Sequence, residues 1–198
     1  MCGIIGAFGD DLPVDLSQRL ERGMELMKHR GPDDQGQEID SMDEATIALG
    51  HVRLSIIDLS SSGRQPMTTS DGRYVMVYNG EIYNYRELRS ELEGKGVEFR
   101  SNTDSEVLLA AWSAWGEACL ARLTGMFAFA IFDRVEQSLT CARDAFGIKP
   151  FFYSLSEGNF LFASEIPAIQ ELLKGTGRLN LQRAYDYLVY DSYDDKAS

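Results

Sequence analysis

The chain begins MCGIIGAF, and its second residue is a cysteine one peptide bond from the start. Methionine aminopeptidase generally removes Met1 when a small residue follows it. The thiol of Cys2 would then share a residue with a free α-amine, whose pKa of about 8 lies close to operating pH. A thiol and a general base in one residue form an N-terminal nucleophile. The alternative is that Cys2 is a small buried apolar residue at the start of a strand.

The segment YNGEIYN contains a second candidate for chemistry. An Asn-Gly pair favours a tight turn with positive φ, so we expect a turn at Asn79 and Gly80. Such a turn would present the Asn79 side-chain amide beside the Gly80 backbone N–H. These are two neutral donors of the kind that holds an oxyanion, and Glu81 adds a carboxylate beside them. An ordinary hairpin turn is the alternative interpretation.

Two charged residues extend this set toward an amino acid ligand. Arg53 lies in the strand-like run HVRLSIID, where its guanidinium needs either an anion or a solvated edge. A ligand carboxylate would satisfy it bidentately, whereas the alternative is a surface salt bridge. Asp104 is expected at a helix start, where it either stabilises the helix end or holds an ammonium together with Glu81. The combination fits a free α-amino acid with an acyl group, and glutamine is the natural candidate.

The remaining titratable and thiol groups offer weaker alternatives. His29 and His51 are the two histidines, and a Cys–His pair is a second way to activate a thiol. A histidine satisfied in the core is the competing interpretation of His51. Cys119 and Cys141 are far apart and form no CxxC pair, so we expect neither a disulfide framework nor a metal site.

The composition favours a globular protein in the cytoplasm, with one domain or one domain plus a fragment of a second. The chain has 198 residues, is 44% hydrophobic and carries a formal net charge of -12. This charge argues against nucleic acid and an anionic membrane surface as partners. No segment is long and apolar enough to span a bilayer, and the first residues lack the basic and apolar regions of a signal peptide.

Hydrophobic periodicity predicts an α+β fold with largely antiparallel sheets. Connections between neighbouring strand-like runs are too short for parallel crossovers. Strands are expected in the segments 3–8, 45–60, 73–84, 125–133, 138–144, 150–156 and 159–165, with a turn around Glu157. Helices are expected in the segments 16–30, 85–96, 102–123 and 166–175, and another begins near residue 180. Thr103 and Glu106 have the spacing of a capping box at the start of the third helix.

Eight segments together resemble a known family. In order they are MCGIIGAF, KHRGPDDQG, HVRLSIIDLS, YNGEIYNYRELR, TDSEVLLAAW, LTGMFAFAIFD, ARDAFGIKPFFY and FASEIPAI. They resemble the N-terminal glutaminase domain of class II glutamine amidotransferases, especially that of the glutamine-hydrolysing asparagine synthetase type. The resemblance covers nearly the whole chain. It implies an Ntn-hydrolase fold, a four-layer αββα sandwich of two mainly antiparallel sheets flanked by helices.

The resemblance also implies roles for single residues. Cys2 matches the nucleophile, and Asn79 and Gly80 match the oxyanion hole. Arg53 matches the residue that receives the substrate α-carboxylate. The residues that match the surroundings of the α-ammonium are Glu81 and Asp104. The backbone that matches the wall of the glutamine pocket spans residues 54–57, including Leu54 and Ile56.

On this resemblance, residues 1–198 form a glutaminase domain, and about 180–198 begin a linker to a synthetase domain. The SGGxDS pyrophosphate loop of that domain is absent from this sequence. No cofactor is implied for the glutaminase domain, whereas ATP and magnesium are implied for the synthetase domain. The implied partners are L-glutamine and the ammonia-accepting synthetase domain, and a homodimer remains open. The alternatives are an acceptor other than aspartate, or a non-catalytic regulatory module if Met1 is retained.

Overall fold

The computed structural model describes residues 1–42, 45–56, 60–156, 158–173 and 180–191. Strands β1 to β9 span, in order, Gly3–Gly9, Asp34–Ser41, Thr46–Arg53, Met67–Thr68, Tyr74–Ile82, Gly125–Asp133, Ser138–Arg143, Phe152–Ser156 and Asn159–Ala163. Helices α1 to α5 span Leu16–Leu26, Tyr85–Glu93, Asp104–Trp115, Ile166–Leu172 and Leu181–Tyr190. Two 3₁₀ turns lie at Ser61–Gly63 and Gly116–Arg122.

Two antiparallel sheets form the centre of the fold. The five-stranded sheet has the order β2-β3-β1-β9-β8, and the four-stranded sheet has the order β4-β5-β6-β7. All the neighbouring strands named in these orders pair in antiparallel fashion. Hairpins such as β6–β7 and β8–β9 leave no room for the longer crossover that parallel pairing requires. The expected antiparallel sheets are therefore confirmed.

Helices cover the outer face of each sheet, which gives four layers. Helices α1 and α4 pack on the five-stranded sheet, and α2 and α3 pack on the four-stranded sheet. A third apolar cluster lies between the sheets. Its fully buried members include Ile4, Val77, Ala130 and Phe162. The fold is thus the α+β, four-layer αββα sandwich that the family resemblance implies.

The core between the sheets determines which side chains reach one end of the gap. Successive side chains on a strand point to opposite faces, and Ile4, Leu49 and Val77 of β1, β3 and β5 all face the gap. Residues two or four positions along those strands share that face. The side chains that this alternation brings to the end of the gap are those of Cys2 just before β1, Arg53, Asn79 and Glu81, together with Met126, which shares the face of Ala128 and Ala130 on β6.

The start of α3 confirms the predicted cap and the place of Asp104. The Thr103 hydroxyl accepts a hydrogen bond from the Glu106 backbone N–H at 3.2 Å, and Asp104 is the first helical residue. The Glu106 carboxylate accepts from the Ser101 backbone N–H at 2.7 Å rather than from Thr103. The helix is shorter than expected, because it ends before Gly116, whose φ is 55°, and continues as a 3₁₀ turn.

The turn expected at Asn79 and Gly80 is wrong. Both residues lie inside β5, where Asn79 pairs with Ala128 and Gly80 pairs with Phe127 of β6. Neither residue has a positive φ. Glycine is needed here because a Cβ would lie 2.6 Å from the carbonyl oxygen of Met126. A close approach of two strands, rather than a turn, explains the glycine at position 80.

Some expectations fall on residues that the structure does not describe. They are the turn at Glu157, the part of the pocket wall at Ile57, the end of α4 after residue 173, and the chain after residue 191. Across the described ranges, every helix is too short or too polar to cross a membrane.

Candidate active site

One cavity of about 240 Å³ opens at the end of the gap between the sheets. Its volume leaves room for a ligand about the size of one amino acid. It brings together all eight site residues that the sequence predicts. They are Cys2, Arg53, Leu54, Ile56, Asn79, Gly80, Glu81 and Asp104.

The thiol of Cys2 is held against the backbone of Leu54. Its Sγ accepts from the Leu54 N–H at 3.4 Å and donates to the Leu54 carbonyl oxygen at 3.7 Å. Burial raises the pKa of the Cys2 thiol above its ordinary value, although the hydrogen bond from Leu54 opposes that shift. The thiol is therefore protonated at neutral pH, and its use as a nucleophile requires a base.

The segment KHRGPD holds the nucleophile and the pocket wall together, which sequence reasoning missed. Arg30 Nε donates to the Cys2 carbonyl oxygen at 3.1 Å, and Arg30 Nη1 pairs with Glu165 Oε1 at 3.0 Å. The Asp33 backbone N–H donates to the Arg53 carbonyl oxygen at 3.0 Å. The sequence feature that could have indicated this role is the arginine directly before Gly-Pro. Gly-Pro alone is enough to end the helix, so the arginine needs another explanation.

Two hydrogen-bond donors on β5 face the cavity. The Asn79 side chain is 1% exposed, and its Nδ2 has no hydrogen-bond partner among the described residues. The Phe127 backbone N–H and carbonyl both bond to Asp144, on the β7 side of β6. The opposite residue, Gly80, is therefore a non-hydrogen-bonded pair of Phe127, and its N–H points away from β6. A buried amide donor without a partner is costly, so a ligand oxygen here would be stabilised.

Asp104 is a buried carboxylate at the N-terminus of α3. Its Oδ2 accepts from the Tyr78 hydroxyl at 2.7 Å and from the Ile82 backbone N–H at 3.0 Å. Burial raises the pKa of Asp104 above its ordinary value, while these hydrogen bonds oppose the shift. A cationic ligand beside Asp104 would favour its ionised form. Glu81, which also lines the cavity, would add a second carboxylate.

Arg53 is a buried cation of the cavity lining, and Gly63 brings its guanidinium close to Thr103, the residue before Asp104. Its side chain is packed under the 3₁₀ turn Ser61–Gly63, and the residue is 7% exposed. Nη1 donates to the Ser60 carbonyl oxygen at 2.7 Å. A Cβ on Gly63 would lie 2.3 Å from Nη2, so glycine allows the turn to lie directly on the guanidinium. Arg53 therefore does not lie at the solvated edge that the surface alternative requires.

The histidines do not activate the thiol. His51 is fully buried, its Nε2 contacts the Tyr78 carbonyl oxygen at 3.0 Å, and burial lowers its pKa to about 3. His29 lies elsewhere and contacts Glu165 Oε1 at 3.0 Å. Neither ring contacts Cys2 in the described part of the chain. No cluster of three or more metal-ligating side chains forms within that part either.

A family model described as "Glutamine amidotransferase domain" matches residues 1–198. The chain belongs to this family. The description names glutamine, which agrees with a cavity large enough for one amino acid. The family resemblance given by the sequence motifs is thereby confirmed.

Two relatives that are each 42% identical to this chain are much longer proteins. Asparagine synthetase [glutamine-hydrolyzing] 3 of Bacillus subtilis is 42% identical over 173 residues, which are 85% of this chain and 27% of that protein. Amidase chyE of Penicillium rubens is 42% identical over 147 residues, which are 74% of this chain and 21% of that protein. This chain therefore spans about a quarter of the length of these relatives.

A solved structure shows the same fold. It is the glutamine phosphoribosylpyrophosphate amidotransferase of B. subtilis, with a TM-score of 0.72 and 22% identity. The match covers 86% of this chain and 43% of that one. At this identity the likeness supports the four-layer fold and nothing finer.

Proposed function

We propose that this domain hydrolyses L-glutamine to L-glutamate and ammonia through a thioester on Cys2. The observation that carries the proposal is the single cavity described above. It joins a thiol, neutral hydrogen-bond donors, a buried arginine and two carboxylates. These groups complement four features of a free glutamine: the side-chain carbon that is attacked, its carbonyl oxygen, the α-carboxylate and the α-ammonium.

The base for this reaction is the α-amine of Cys2 after removal of Met1. An amide nitrogen cannot take the proton of the thiol, so the reaction requires that removal. Met1 lines the cavity mouth and is 60% exposed, which leaves it accessible to an aminopeptidase. The amine takes the thiol proton as Sγ attacks, directly or through a water, and then gives it to the leaving ammonia.

Both steps pass through a tetrahedral oxyanion. In the first, the bond from Sγ to the side-chain carbon forms and the carbon–nitrogen bond breaks, which releases ammonia. In the second, water attacks the thioester, the carbon–oxygen bond forms and the carbon–sulfur bond breaks, which releases glutamate and regenerates the Cys2 thiol. The Asn79 Nδ2 and the Gly80 N–H donate to the oxyanion, and both are fixed on a paired strand before the reaction begins.

The substrate is oriented by charge. Arg53 receives the α-carboxylate, and Glu81 and Asp104 receive the α-ammonium on the same carbon. A double-mutant cycle on substrate and enzyme tests this polarity. L-Glutamine and its α-carboxamide analogue are compared on wild type and on Arg53→Ala by steady-state ammonia release. A buried charge-assisted pair is expected to couple by roughly 1.5–3 kcal/mol.

Arg53→Lys refines the same test. It keeps the charge but loses the bidentate fork, so we expect a higher KM for glutamine. A coupling energy of zero in the cycle would mean that Arg53 does not bind the α-carboxylate.

Arg30 is proposed as a positioning residue, because it touches the Cys2 backbone and not the cavity. Arg30→Met removes the hydrogen bond to the Cys2 carbonyl and loosens the nucleophile. We expect kcat to fall on the order of 10- to 100-fold with little change in KM. Arg22→Met, which removes an exposed pair with Glu171, is the control and should retain wild-type kcat. An effect on KM alone would place Arg30 in substrate binding.

The ammonia acceptor is proposed from the relatives. An asparagine synthetase of the matched type implies an additional synthetase domain, with ATP and magnesium, that amidates aspartate. The amidase of P. rubens, at the same identity, favours a second candidate with a different acceptor. For the glutaminase domain itself we propose no cofactor and a cytoplasmic location. A homodimer is testable by sedimentation.

Intact mass and ammonia release together test the proposal. We expect a mass lower by one methionine, and stoichiometric glutamate and ammonia from glutamine. A chain that retains Met1 and releases no ammonia would instead be a regulatory module of the same fold.

A further inference from the structure

A buried lysine in the same cavity has no role in the reaction described above. Lys149 lines the cavity and is only 4% exposed. In the described part of the chain, its ammonium makes no hydrogen bond and lies within 4.0 Å of no carboxylate. Lys149 Nζ is not among the fully enclosed side-chain atoms that lack a partner, so the ammonium keeps contact with solvent. The cavity therefore contains a cation that an anionic ligand can reach, and a charge-assisted hydrogen bond would hold that ligand.

The loop before β8 is built to hold this lysine in place. The Asp144 carboxylate accepts from the backbone N–H groups of Phe127, Ile148 and Lys149 at 3.2, 2.9 and 3.0 Å. Arg143 Nε donates to the Lys149 carbonyl oxygen at 2.7 Å. Two charged side chains thus fix the backbone of Lys149 between the two sheets, and the ammonium itself is left for another partner.

The strand order places Lys149 and Arg53 on opposite sides of the nucleophile. In the sequence β3-β1-β9-β8, Arg53 ends β3, Cys2 precedes β1, and Lys149 lies three residues before β8. All three are at the end of the sheet that faces the cavity. A ligand bound by its α-carboxylate at Arg53 therefore extends past the thiol of Cys2 toward Lys149.

We propose that Lys149 binds the γ-carboxylate of L-glutamate, the product of the hydrolysis. This inference rests on the proposed function. Glutamine presents a neutral amide beyond Cys2, whereas glutamate presents a carboxylate at the same position. A carboxylate at each end of the ligand matches a cation on each side of Cys2. The cavity therefore retains its product by charge, and product inhibition is a property of Lys149.

Direct binding to the Cys2→Ala variant isolates this effect from turnover. Titration calorimetry gives the Kd of L-glutamate and of L-glutamine for that variant and for Cys2→Ala combined with Lys149→Met. Methionine keeps the length of the side chain and removes the charge. We expect the Kd of glutamate to rise roughly 10- to 100-fold, and that of glutamine by less than about 3-fold. Lys28→Met, at an exposed lysine, is the control for net charge and should change neither value.

The charge-retaining variant Lys149→Arg is the control that distinguishes a loss of charge from a loss of structure. It should keep more of the glutamate affinity than Lys149→Met does, at a similar melting temperature. Equal increases of Kd for both ligands, or an unchanged glutamate Kd in Lys149→Met, would overturn the proposal. The latter result would assign the ammonium to another acidic partner. Ammonia release by the wild type tests the proposed function separately, so the two failures are distinguishable.

Discussion

Replacement of Cys2 by alanine is expected to abolish ammonia release from glutamine and to leave the fold intact. Its Sγ is the only thiol on the cavity wall within the described residues, and it is held by Leu54. Loss of a nucleophile that acts as one unit with its base typically costs on the order of 10⁴-fold or more in kcat. Steady-state ammonia release measures this loss, and calorimetry should show that glutamine still binds.

The other two cysteines are matched controls. Cys119 is buried among the residues of α3 and its 3₁₀ turn, where burial raises its pKa to about 11. Cys141 lies on β7, where burial raises its pKa to about 12. Neither thiol is reactive at neutral pH, so Cys119→Ala and Cys141→Ala should keep kcat and lose only some stability. A loss of turnover in either, comparable to that of Cys2→Ala, would contradict the assignment.

Most of the fold could be predicted because most of its strands are apolar runs joined by short connections. The run GMFAFAIFD buries side chains on both faces, and its hairpin with β7 required antiparallel pairing. Strand β2 is the exception, since its sequence DQGQEIDS carries no apolar pattern. It is an edge strand, and pairing along the whole of β3 forms it rather than its own propensity.

Most of the candidate site residues were indicated by their chemistry, and Leu54 and Ile56 only by the family resemblance, whereas their local geometry could not be predicted. Asn79 and Gly80 were expected in a turn, because Asn-Gly is the usual signal for one. Pairing with β6 overrides that preference, and the same two donors reach the cavity from a strand. The wrong prediction concerns the backbone conformation of these two residues. Their proposed role is unaffected, because it depends only on where the two donors point.

Residues whose roles come from contacts between distant segments could not be predicted. Arg30 meets Cys2 across 28 positions of sequence, and no local pattern contains that contact. Lys149 reaches the cavity because Asp144 joins its loop to β6. In both cases the sequence shows only a charged residue beside glycine or proline. The tertiary pairing of strands decides what it touches.

The side-chain amide of Asn79, which has no hydrogen-bond partner among the described residues, lowers the stability of the free protein and serves the proposed chemistry. A buried Nδ2 without a partner destabilises the free protein, and it is retained at the point where an oxyanion develops. Removing it should therefore improve or preserve stability while it damages catalysis. This opposite response separates Asn79 from an asparagine that serves the fold.

Asn79→Ala is accordingly expected to lower kcat on the order of 10²- to 10³-fold, with a smaller change in KM for glutamine. Its melting temperature should equal or exceed that of the wild type. Asn159→Ala is the matched control, because Asn159 is also buried but its amide bonds to the Asp11 backbone N–H and carbonyl at 3.3 and 3.1 Å. That variant should lose stability and keep kcat. If Asn79→Ala raised KM at unchanged kcat, the amide would bind the ground state of glutamine, and the oxyanion would be left to Gly80 alone.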